Sequence, residues 1–81
     1  LRVTVRLFAR LRDAAGDERL AIELSPGATV AAAVEAVVAG RPALAPLRAV
    51  IQVAVNATHA RPDRVLAEGD EVALFPPFSG G

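Results

Sequence analysis

The amino-acid sequence predicts an α+β fold: a mixed sheet, one main helix on one of its faces, and an extended tail at the C-terminal end. Three observations predict it. Apolar and polar residues alternate at both ends of the chain, as they do in half-buried strands. Between them, one run repeats its apolar residues at helical spacing. The last alternating run then stops at Pro76-Pro77, which has no amide hydrogen to offer a sheet ladder.

Each element has its own reason. Arg2 to Phe8 alternates, with Val3, Val5 and Leu7 on one side and Arg2, Thr4 and Arg6 on the other, so it is a strand. Ala9 to Ala15 reads as a short helix with Leu11, Ala14 and Ala15 on its apolar side, capped by Gly16. Glu18 to Leu24 alternates again, Leu20, Ile22 and Leu24 inward, and Ser25-Pro26-Gly27 is a turn. Thr29 is placed to cap the main helix, Val30 to Ala39, in which Val30, Val34, Val37 and Val38 share one face. Five alanines offset the low helix propensity of valine, and Gly40 then Pro42 stop the helix. Arg41 to Arg48 is a connector with room for one helical turn. Val50 to Val55 is a third strand, with Ile51, Val53 and Val55 alternating. Asn56-Ala57 opens a turn, and Thr58 to Ala60 is a brief return strand. Pro62 to Leu66 is a loop or single turn, Glu68-Gly69-Asp70 a tight turn, and Glu71 to Phe75 the last strand.

Two leading strands joined closely form a hairpin. The helix then carries the chain across to a later strand, and such crossovers are right-handed and give parallel pairing. The order describes an α+β roll of the β-grasp kind. Residues 1–75 form the domain, residues 76–81 a flexible tail ending in Gly-Gly, and the sheet face away from the helix is left for partners.

Composition bounds the function. Eighty-one residues make one small domain, whose core must be efficient because nothing staples it. There is no Cys, which excludes disulfides, thiolate metal sites and cysteine nucleophiles; the lone His59 cannot build a multi-histidine site. No metal site and no bound cofactor are expected. All nine basic residues are Arg, which excludes lysine Schiff bases and P-loop lysines, and nine acids balance them to zero net charge. A sequence-independent nucleic-acid binder needs a basic surplus, so nucleic acid is not an expected partner. No uncharged stretch approaches a membrane span, and the N-terminus alternates charge with apolar residues rather than forming a signal peptide, so a cytoplasmic location without membrane contact is expected.

Side chains offer little chemistry. A Ser/His/Asp triad needs Ser25 or Ser79 with His59, yet Ser25 sits in a Pro-Gly turn and Ser79 in the tail. His59 reads as a solvated surface residue, and Glu68, Asp70 and Glu71 as a solvated turn rather than a cation site. No glycine-rich nucleotide cradle is visible. The C-terminal end differs. Phe75-Pro76-Pro77-Phe78-Ser79-Gly80-Gly81 begins with prolines that hold an extended geometry and project the chain from the sheet. Gly80 and Gly81 lack Cβ atoms and can thread a channel too narrow for other residues. The reactive group at such a tip is the carboxylate of Gly81.

These residues carry a resemblance. LFARLRDAAG (Leu7 to Gly16), VAVN (Val53 to Asn56), EGDEVALFPP (Glu68 to Pro77) and the closing SGG resemble the small, sulfur-carrying subunit of molybdopterin synthase, among the ubiquitin-like β-grasp sulfur carriers. Phe78 stands where that family usually has a smaller Val, and His59 where it often has an aliphatic residue. The resemblance implies a carrier cycle and a non-catalytic carrier subunit. A ubiquitin-activating-type enzyme spends ATP to adenylate the Gly81 carboxylate, and a sulfur donor displaces AMP to leave a thiocarboxylate. The large synthase subunit receives the tail and supplies the acid–base groups, and cyclic pyranopterin monophosphate gains its dithiolene sulfurs in a heterotetramer of two carriers and two large subunits.

The expected partner surface is Phe8, Arg12, Phe75, Pro76, Pro77 and Phe78, because aromatic and Arg residues near the tail's exit have the composition of binding hot spots. Three other readings remain open at this point: a carrier for another pathway such as thiamine or tRNA thiolation, a modifier linked through Gly81 to lysines of other proteins, and a non-covalent interaction module.

Overall fold

In the computed structural model, which describes residues 1–77, strand β1 (Arg2–Leu7) runs antiparallel to β2 (Arg19–Glu23), with helix α1 (Ala9–Ala15) in the connection. Helix α2 (Val30–Gly40) and a 3₁₀ stretch (Pro42–Val50) lead to β3 (Gln52–Val55) and β4 (Thr58–His59), and β5 (Glu71–Phe75) closes the sheet. The strand order is β2-β1-β5-β3-β4. β5 is parallel to β1 and antiparallel to β3, so the last strand occupies the centre. This is the mixed β-grasp sheet that the element order predicts.

The period-two pattern decides which face is buried. Val3, Val5 and Leu7 of β1, Val72 and Leu74 of β5, and Val53 and Val55 of β3 all turn to the same side. Val30, Ala33, Val34 and Val37 of α2 pack onto them, with Leu11, Leu44 and Leu66 filling the ends. Among the described residues no polar or charged side chain is buried. The core is built from aliphatic burial alone, which is the efficient solution for a chain without staples.

The caps follow local chemistry. Gly16 ends α1 with φ of 79°, a left-handed value that only glycine adopts at little cost, and its N–H donates to the Arg12 carbonyl. Thr29 caps α2 by accepting from the Ala32 N–H (3.3 Å). A further capping device is tertiary. The Val30 and Ala31 N–H groups donate to the Arg64 and Pro62 carbonyls (2.9 Å each), so the loop at 62–66 satisfies helix-start donors that would otherwise need water.

Strands β1, β2 and β4 are each a residue shorter at one or both ends than the sequence expectation, and the middle of the chain differs more. Gly40 is the last residue of α2 rather than its stop. The stop is Arg41 (φ −134°, ψ 75°), which the following Pro42 holds out of the helical region. The connector is not a single turn but a 3₁₀ run over Pro42–Val50, started by Pro42 and tied to the core by fully buried Leu44. Val50 belongs to that run, so β3 begins at Gln52. No helix of the described residues is long and apolar enough to cross a membrane.

Candidate functional site

The site is built by the parallel pairing of β1 with β5. Leu7 stands beside Leu74, both pointing into the core, and the Phe8 N–H donates to the Leu74 carbonyl (3.1 Å). Phe8, just past the end of β1, therefore lies level with Phe75 of β5, on the face that α2 does not cover. Phe8 is 37% exposed and Phe75 half-buried; neither belongs to the core. β5 continues into Pro76, half-buried, and Pro77, exposed. The two aromatic residues at the ends of β1 and β5 are thus neighbours. Phe78, Ser79, Gly80 and Gly81 lie outside the described residues.

Register extends this surface across the sheet. Arg19, Arg6, Ala73, Ala54 and His59 follow one another as paired residues from β2 to β4. Gln52 pairs with Phe75, and its Oε1 lies 3.5 Å from His59 Nε2. The row is basic at the β2 edge, small in the middle, and polar at the β4 edge. The Arg6 guanidinium sits over the Phe8 ring, 5.1 Å from its centroid. Arg12 is exposed on α1 with Nε 3.7 Å from Asp13 Oδ1, beside Gly16, Asp17 and Glu18. The guanidinium that meets the aromatic is Arg6. Strand parity is the signal that finds it: residues 6 and 8 share a face two positions apart.

The opposite end of β1 and β5 is a closed polar network. The Arg2 N–H donates to Glu68 Oε1 (3.0 Å), and the Arg2 guanidinium meets Glu23 Oε1 at 2.8 Å. Asp70 accepts from the Ala67 N–H (2.8 Å) and the Asn56 side-chain amide (2.9 Å), while Asn56 Oδ1 accepts from the Glu71 N–H (3.0 Å). The Ala67 bond first and the Asn56 bond second hold the Asp70 carboxyl below its ordinary value. The acidic cluster at 68–71 is a hydrogen-bonded turn, as its sequence suggests. Among the described residues no group of three or more His, Cys, Asp or Glu is arranged to hold a metal ion. A groove of about 370 Å³ between α2 and β3 is lined mainly by Val30, Val34, Ile51 and Ala60, and its one guanidinium, Arg48, is paired with Glu35.

Comparison with known proteins accords with this arrangement. The ThiS family matches residues 5–81. The chain is 35% identical over 83 residues to the molybdopterin synthase sulfur carrier subunit of Chlamydomonas reinhardtii, with 100% of each covered. It is 38% identical over 84 residues to small archaeal modifier protein 1 of Haloferax volcanii, covering 94% of this chain and 97% of the relative. The crystal structure of that SAMP1 superposes with a TM-score of 0.91 at 35% identity, 100% of both chains covered. The family match over nearly the whole chain and the full-length relatives decide its membership: the chain belongs to the ThiS family, the ubiquitin-like sulfur carriers.

Proposed function

We propose that this chain is the sulfur-carrier subunit of a molybdopterin synthase, with Gly81 as its working residue. The observation that carries the reading is the full-length similarity to a molybdopterin synthase sulfur carrier subunit, in a fold whose central strand ends at Phe75-Pro76-Pro77 beside exposed Phe8. A carboxylate is a poor electrophile. A ubiquitin-activating-type enzyme joins it to AMP from ATP, with pyrophosphate leaving, and the mixed anhydride then loses AMP to an incoming sulfur donor. The resulting thiocarboxylate on Gly81 is a soft nucleophile on a deliverable arm. Gly80 and Ser79 thread the partner's channel, and Phe78, Pro77, Pro76, Phe75 and Phe8 dock at its mouth. The large subunit supplies the acid–base groups and the cyclic pyranopterin monophosphate; the carrier supplies proximity in a water-poor pocket. Two carriers and two large subunits, assembled in the cytoplasm, deliver the two sulfurs.

The test is intact-mass spectrometry of protein isolated from its host, together with a variant lacking Gly81. The expected result is a mass gain equal to exchange of one terminal oxygen for sulfur. The truncated protein is expected to unfold at the same denaturant concentration as wild type and to give no dithiolene in a reconstituted synthase. Dithiolene formation by the truncated protein overturns the reading. The similarity to small archaeal modifier protein 1 favours a second reading, in which the same adenylate is captured by lysine amines of other proteins. Ligated products in host lysate, without any thiocarboxylate, are its signature.

A further inference from the structure

The ladder that holds β5 is ended by its neighbours. On one side the Phe8 N–H donates to the Leu74 carbonyl, and the chain then turns away at Ala9 (φ 52°) into α1. On the other side, Gln52 with Phe75 is the last pair. The next pair in that register would join Ile51 to Pro76, but the Ile51 N–H donates to the Arg48 carbonyl (3.3 Å), where Ile51 closes the 3₁₀ run. Both neighbours have left the sheet by this point, so pairing ends at Phe75 without help from the prolines. Nor do the prolines complete the core: Pro76 is half-buried and Pro77 exposed. What they still determine is the backbone. Each fixes its own φ and bars the residue before it from the helical region, so positions 75, 76 and 77 are confined in succession to extended forms. Phe78 is the first residue past β5 that neither is proline nor precedes one.

We propose that Pro76 and Pro77 are positioning residues for the Gly81 carboxylate: a stiff stem that carries the direction of β5 beyond the sheet, so that fewer backbone states compete with the delivered one. The inference rests on the sulfur-carrier reading and adds which residues aim the arm. The six residues from Pro76 to Gly81 span about 20 Å at most. On so short an arm, the share of conformers that point forward sets the effective concentration of the carboxylate at a reacting centre. Proline removes states from the free chain before any partner is met, as it does when it stabilises a fold at a compatible site. The gain is preorganisation rather than contact. It does not depend on which partner is docked, because every enzyme that acts on Gly81 must take the same arm.

The experiment compares wild type with the double variants Pro76→Ala/Pro77→Ala and Pro76→Gly/Pro77→Gly in two reactions. One is adenylation by the same host's activating enzyme, read by pyrophosphate release. The other is dithiolene formation by the reconstituted synthase, from carriers already loaded with sulfur. Ala and Gly both remove the proline ring, and Gly also removes the remaining restriction on the backbone. The Ala pair is expected to lower kcat/KM about tenfold and the Gly pair about a hundredfold, in both reactions. Pro77→Gly alone, at the exposed position, should cost about tenfold, and it decides the matter if a denaturant midpoint shows the double variants to be less well folded. Equal losses for the Ala and Gly pairs mean that the rings act as contacts, and they overturn the inference. An undiminished kcat/KM, or a loss confined to one of the two reactions, overturns it as well. In each of these cases the carrier reading stands. Wild type that gives neither pyrophosphate nor dithiolene overturns both.

Discussion

At the end of the sheet where β1 and β5 begin, Arg2, Glu23, Glu68, Asp70 and Asn56 direct their polar atoms at one another and at backbone amides. At the end where the same strands finish, Phe8 is exposed and Arg6 faces Arg19. Both ends share one ladder and one core, so the difference lies in side chains and not in the fold. A closed end contributes to its own stability. An open end holds groups whose best partners are elsewhere, and its side chains should be cheap to remove for folding and expensive to remove for function.

The sharpest break of that contrast lies within two neighbouring residues. Leu7 is 2% exposed and Phe8 37%, although Leu7 ends β1 and Phe8 directly follows it. Leu7→Ala should cost about 2–5 kcal/mol in urea unfolding, the transfer and cavity cost of a core leucine. Phe8→Ala should cost about 1 kcal/mol or less, chiefly its contact with Arg6, yet weaken capture by the tail-binding partner by about 2 kcal/mol or more. Equal stability losses would mean that Phe8 is a core residue and that the open end is not open.

The closed end gives the next largest effect. Asn56→Ala removes one bond to Asp70 and one from the Glu71 amide, and leaves a less suited residue at φ 49°. A loss of about 1–2 kcal/mol is expected, without effect on loading of the tail. The same network sets a pH dependence. Asp70 titrates below 3.8 in the folded chain, so its stabilisation is complete above the unfolded carboxyl value and is lost as the pH falls through the folded one. Asp70→Asn should flatten the acid limb of the stability curve below about pH 4. An unaltered limb would show that other carboxylates drive acid unfolding.

How legible these two ends were differs for physical reasons. Alternation in 2–8 and 71–75 placed both strands and their inward faces, because period two is written residue by residue. The aromatic exit was legible for the same reason: Phe8 and Phe75 sit at strand ends, and parallel pairing brings them level. The Asn56–Asp70 clasp was not, since it joins two turns fourteen positions apart that only the sheet order brings together. Nor was the loop at 62–66 as a cap for α2. The sharp departure from β1 at Ala9, with φ of 52°, had no glycine to announce it. The facing of Arg6 by Arg19 needed a register, and register depends on the whole hairpin rather than on either strand.

A smaller effect should appear at the β3–β4 turn, back at the closed end. Asn56 and Ala57 both have positive φ, 49° and 70°, across a two-residue hairpin loop that suits Asn-Gly. Alanine pays a steric penalty there that glycine does not, while glycine adds entropy to the unfolded chain. Ala57→Gly should therefore stabilise by about 0.5–1 kcal/mol, read as a raised Tm. A destabilised variant would show that the turn relaxes to negative φ in solution.

The smallest shift in stability is expected at the open end, where its sign matters more than its size. Arg19→Glu replaces a like-charged cross-strand pair with an opposite one, and such pairs change stability by about 0.2–1 kcal/mol. The variant should be slightly more stable than wild type in low salt, with the gain fading as salt screens it. Arg2→Glu, made at the other end of the ladder against Glu23, should do the reverse. If Arg19→Glu is instead the less stable protein, the side chains of positions 6 and 19 do not meet across the ladder, and register alone does not set their interaction.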